Sequence, residues 1–128
     1  MTCGRPARES GAGTTLMAGV ALAALLLLAG IVLFVQGSVA ASRAATAADL
    51  SALAAADAAR GLRDGSPCMV AATVASHHGS RLTGCSLEGP SGHIVRVQTE
   101  LDVSPVLPPA TGQARAGPPP SDPDRKED

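Results

Sequence analysis

Leu16 to Val35, LMAGVALAALLLLAGIVLFV, is a run of 20 residues with no charge and no strongly polar side chain. At about 1.5 Å per residue it makes a helix of roughly 30 Å, the thickness of a bilayer's hydrocarbon core. The uncharged stretch is longer still, from Ser10 to Ser42. Gly19 and Gly30 interrupt it, and glycine is tolerated in membrane helices. In a chain of 128 residues too little remains to wrap such a helix inside a globular core. Residues 16–37 therefore read as a transmembrane helix behind a short N-terminal segment, residues 1–15. The competing reading is a cleavable signal peptide, with Arg5 and Arg8 as its basic region and Ser38-Val39-Ala40 as a small-residue cleavage site. Signal peptides carry apolar regions of about 7–15 residues, shorter than this one, and here the helical pattern continues past the cut. Retention is the expectation, and a mature chain starting near Ala41 is the alternative. Arg5 and Arg8 place the short N-terminus in the cytoplasm and the bulk of the chain outside it. The expected location is the cell membrane, crossed once.

Composition narrows the function. Alanine accounts for 25 residues, and Phe34 is the one aromatic side chain. Charged residues make up 16% and the formal net charge is −1, which excludes a basic nucleic-acid-binding domain. Nor do the residues supply a deep, aromatic-lined pocket. No GxSxG, no phosphate-binding glycine loop and no paired carboxylates in a pocket context occur. No catalytic residue, cofactor, small-molecule substrate or nucleic-acid partner is expected, and the chain reads as non-enzymatic.

Residues 38–60 form an alanine-rich extension. Twelve of the 21 residues from Ala40 to Arg60 are alanine, and none is glycine or proline. Alanine is the best helix former, so the helix should run on to Gly61, a C-cap. Thr14 to Arg60 would then be a rod of about 70 Å. Leu50, Leu53 and Asp57 share one face, with Asp49 close by, and small side chains elsewhere let helix backbones approach closely. Leu50, Leu53, Asp49 and Asp57 are thus expected to pack against other helices in lateral assembly; a plain alanine spacer is the alternative.

Residues 61–103 read as a small extracytoplasmic module. Ser66-Pro67 is an N-cap followed by proline at the first helical position, opening a helix over 67–78 with Val70, Val74 and His77 on one face. Arg81 to Leu87 follows as a strand with Thr83, Cys85 and Leu87 on one face, then a Gly/Pro turn. His93 to Val103 alternates, with Val95, Val97, Thr99, Leu101 and Val103 on one side. A module this small needs a staple. Cys68 and Cys85 are placed to form a disulfide, worth on the order of 3 kcal/mol in the loop-entropy model, which persists outside the cytoplasm. Two buried free thiols are the alternative. His77, His78 and His93 do not form a metal site with them, because adjacent helical histidines point about 100° apart. Residues 104–128 are Pro-rich without apolar periodicity and read as a disordered tail. The expected fold class is an α+β membrane protein: a long transmembrane helix extended by an alanine-rich helix, then a short helix, a β-hairpin and the tail.

Glu9-Ser10-Gly11-Ala12-Gly13-Thr14 before the apolar run, and the RAxxAADLxALAAA pattern from Arg43 to Ala56 after it, resemble the TadE-like family of Flp/Tad pilus assembly. They are most similar to its small actinobacterial branch, encoded near secretion and helicase genes. The two outer cysteines flanking Val74-Ala75…Gly79 add to the resemblance, which covers about residues 9–103. It implies a pilin-like (pseudopilin) membrane component whose partners are other pilin-like or Tad secretion subunits. One departure matters. Prepilin processing usually leaves Glu five residues after a cut glycine; a cut after Gly11 puts Leu16 there, and a cut after Gly13 puts Ala18. The resemblance therefore implies a minor, membrane-retained component.

Overall fold

A computed structural model describes residues 11–119 and contains, in order, α1 (Ala12–Ala59), α2 (Pro67–His77), β1 (Arg81–Glu88), β2 (Ile94–Leu101) and β3 (Ala110–Ala116). The chain divides into two compact units, with the boundary between Gln36 and Gly37. In the first, every described residue is exposed, including Leu22, Leu25 to Leu28, Ile31 and Phe34. By length and composition α1 is apolar enough to cross a bilayer, and its most apolar stretch has no buried residue among the described ones.

In the second unit, α1 and α2 lie on one face of a three-stranded antiparallel sheet in the order β1-β2-β3. The core joins Ala52, Ala55 and Ala56 of α1 and Ala71 of α2 to Val95 and Val97 of β2. Leu82, Cys85, Ala114 and Ala116 pack around it. Methyl groups rather than large side chains fill this layer, so helix and sheet must come close to exclude water. At Ala44 they do. The Thr99 hydroxyl donates a buried 2.9 Å hydrogen bond to the Ala44 carbonyl, across 55 residues of sequence. Gly112 of β3 lies so near the same carbonyl that a Cβ there would overlap it.

Both helices stop where glycine can take a positive φ. Leu62 N–H donates to the Asp57 carbonyl at 2.9 Å and Gly61 N–H to that of Ala58 at 3.0 Å. Ser80 and Gly79 bond to Ala75 and Ser76 in the same way. These are Schellman turns, with Gly61 at φ 74° and Gly79 at φ 71°.

The structure departs from the sequence expectations in four places. First, the segment expected to be a disordered tail contributes β3, which pairs with β2 from Leu101↔Ala110 to Val95↔Ala116, so the hairpin is a three-stranded sheet. Residues 120–128 of that tail, like most of the N-terminal segment, lie outside the described residues. Second, a bulge between Leu82 and Gly84 shifts the register of β1. It turns Leu82 and Cys85 inward together and leaves Thr83 outside, since an extra residue flips the alternation; Leu87 keeps to the Cys85 face, opposite Val95, but is half-exposed near the end of the strand. Third, α2 buries Ala71 and Ala75, on the face that carries Cys68, while Val70 and Val74 are half-buried and His77 is exposed. Fourth, Ser66 has extended N-cap geometry, but its side chain makes no capping hydrogen bond.

Gly112→Ala should therefore lower stability by at least the roughly 1–3 kcal/mol of an overpacked core, and Thr99→Val by about 1 kcal/mol. Gly30→Ala, which meets nothing within 4 Å, should leave the unfolding midpoint of the second unit unchanged. Thermal unfolding in detergent, followed by circular dichroism, measures all three.

Candidate interaction surface

The second half of α1 has two unlike faces. Ala44, Ala47, Ala48, Ser51, Ala52 and Ala55 are fully buried. The alanine stripe expected to receive other helices is thus occupied by the chain's own sheet. The opposite face remains uncovered. Leu50 is 39% exposed and Leu53 57%, and Asp49 and Asp57 are exposed with them. Val39, Arg43, Thr46, Leu50, Leu53, Asp57 and Arg60 follow one another at alternating spacings of four and three, the period of a coiled-coil seam. Arg43, Asp49, Asp57 and Arg60 form no ion pair among the described residues. The four residues singled out by sequence for helix packing, Leu50, Leu53, Asp49 and Asp57, therefore all lie on the outward side of α1.

The other sheet face is polar and internally matched. Glu88 of β1 accepts from Arg96 of β2 at 2.7 Å and pairs with Arg115 of β3 at 3.0 Å, tying the three strands together. Arg81 pairs with Asp102 at 2.9 Å and with Glu100 at 3.6 Å. The hydrogen bond from Arg96, with the charges of Arg96 and Arg115, holds the Glu88 carboxyl below its ordinary value.

Cys68 and Cys85 are joined in a disulfide with a Cα–Cα distance of 5.8 Å, within the usual range. It fastens the first turn of α2 to β1. With both sulfurs bonded to each other, neither is free to ligate a metal. Among the described residues no group of three or more His, Cys, Asp or Glu side chains could hold one. Sequence reasoning missed a cleft of about 350 Å³ lined by Ser42, Arg43, Thr46, His77 and His78, because nothing in the spacing brings residue 43 beside residue 78.

No family model, no curated protein and no solved structure matches the chain.

Two outcomes follow. Replacing Cys68 and Cys85 together with serine should cost about 3 kcal/mol, measured by denaturant unfolding. The Glu88 contribution is fully present above its unfolded pKa, near 4.5, and is lost as pH falls through the depressed folded value. The unfolding midpoint of Glu88→Gln should consequently fall less than that of the parent chain when the pH is lowered from 6 to 3.

Proposed function

We propose that the chain is a pilin-like membrane component of a Tad/Flp-type pilus or a related secretion apparatus, and that it acts by packing α1 beside the helices of other subunits. One observation carries the reading. A single helix combines a wholly exposed apolar half with a second half that roofs a small antiparallel sheet and keeps a Leu50–Leu53 stripe open. The apolar half suits a lipid environment or a bundle of similar helices. The stripe supplies packing positions at coiled-coil spacing, and Asp57 and Arg60 supply charges that can fix a neighbour's register. The polar, self-compensated sheet face suits solvent. In this reading the chain is a single-pass protein of the cell membrane, with its N-terminus cytoplasmic and the folded unit outside.

A second reading has its own support. The boundary between the compact units falls close to the Ser38-Val39-Ala40 site, so signal-peptidase release would leave the folded unit almost whole. It would then be a small secreted disulfide-bonded protein.

A photo-crosslinker at residue 50 or 53, introduced into the chain in its native host, should trap neighbouring pilin-like helices, and one at Gln98 on the polar face should not. Leu53→Arg should abolish those crosslinks without unfolding the chain. Crosslinks to a membrane protein unrelated to pili would point to an accessory role instead. A mature chain beginning near Ala41 would establish the secreted form.

A further inference from the structure

Three charges stand within the open stripe of α1 rather than beside it. Counted as a heptad, Arg43, Leu50 and Asp57 take one seam position, and Thr46, Leu53 and Arg60 take the other. Arg81, Arg96 and Arg115 each have a carboxylate partner. Arg43, Asp57 and Arg60 are exposed and form no ion pair among the described residues. One flank of the stripe is closed, because Ala47 and Ala54 are buried in the chain's own fold. The other flank carries exposed Asp49 and is open. A seam that is apolar in the middle and charged at both ends accepts a helix where its charges meet opposite ones.

A second copy of the chain does not supply those opposite charges. A closed pair of identical chains is two-fold symmetric. With the helices parallel, the symmetry sets each stripe residue against itself: Arg43 on Arg43, Asp57 on Asp57 and Arg60 on Arg60. With the helices antiparallel and Leu50 against Leu53, Arg43 meets Arg60 at both ends of the contact. Sliding that antiparallel pair by one heptad sets Leu53 against Arg43 in one direction and against Asp57 in the other. Each of these pairings opposes like charges or wastes a leucine on a charge. Repulsion of this kind lets a helix refuse its own copy and still admit a different partner.

We infer that the stripe docks an amphipathic helix of a different chain. That helix has apolar residues opposite Leu50 and Leu53, carboxylates opposite Arg43 and Arg60, and a basic residue opposite Asp57. The inference deepens the assembly reading and rests on it: the neighbour is a distinct subunit, and the three charges set its register.

A charge-reversed form of the full chain, with Arg43→Glu, Asp57→Lys and Arg60→Glu together, serves as the stand-in partner. It presents unlike charges to the parent in either helix direction and like charges to itself. All three positions are exposed, and at the end of α1 the gain from Asp57→Lys offsets the cost of Arg60→Glu, so the unfolding midpoint should not move. Chains labelled with donor or acceptor dyes at the C-terminus are mixed in dodecyl maltoside micelles and followed by energy transfer. Pairing through the apolar half of α1 contributes equally to every combination. The parent and the reversed form should pair about tenfold more tightly with each other than either does with itself. Leu53→Arg in the parent should erase that preference. Equal affinities in the three combinations, or a preference that survives Leu53→Arg, would overturn the inference. In the native host, a photo-crosslinker at residue 53 separates the two levels. Capture of a pilin-like chain other than this one supports both. Capture of a second copy refutes the distinct partner and leaves the assembly reading standing, and the lack of any helical neighbour refutes the assembly reading itself.

Discussion

The contact between the α1 backbone and the sheet at Ala44 sets the terms for the rest of the folded unit. A helix made of alanine buries little area per residue, so its stabilisation depends on proximity rather than on side-chain bulk. The Thr99 hydroxyl meets the Ala44 carbonyl directly, and Gly112 removes the one Cβ that would hold β3 away. Alanines on the helix, valines on the central strand and glycine and alanines on β3 are matched in size across this layer. The disulfide and the Glu88 ion pairs then secure elements that a thin core holds weakly: α2 through Cys68, and the three strands to one another through a carboxylate shared by two arginines.

This geometry also explains why the uncovered stripe is the leucine one. Larger side chains cannot enter a layer built for methyl groups, so Leu50 and Leu53 fall on the other side of the helix. The face richest in small residues belongs to the intramolecular contact, and the face with larger apolar residues remains for a neighbour. The reading of an assembly component draws its force from that division, and from an apolar half of α1 that is exposed throughout among the described residues.

Much of this was legible in the sequence, because the signals were periodic and strong. The apolar run, the alanine-rich continuation, both helix-ending glycines, the Val95–Val97–Thr99 alternation and the Cys68–Cys85 pair all follow from composition and spacing. What escaped had low amplitude. β3 alternates Gly112, Ala114 and Ala116 against Thr111, Gln113 and Arg115, a period of two written in residues too small to register as a hydrophobic pattern, and prolines surround it. The bulge at Thr83 is a property of the pairing with β2 and leaves no mark on β1 alone. The direction of the alanine face was hidden for a related reason: methyl groups suit another helix and a close sheet equally well. The cleft at Arg43 arises only when the end of α2 is folded back beside α1.

The notch at Gly112 has a mechanical side. A helix seated in it, with the Ala44 carbonyl held by Thr99, can neither slide along the sheet nor roll over it without breaking a buried hydrogen bond and forcing backbone against backbone. The layer behaves as a detent. Load entering the folded unit through the first turns after Ala40 meets the sheet there before it reaches the softer alanine contacts beyond. Resistance to pulling is then governed by how rarely that contact opens, a rate, rather than by the modest area buried in the unit as a whole.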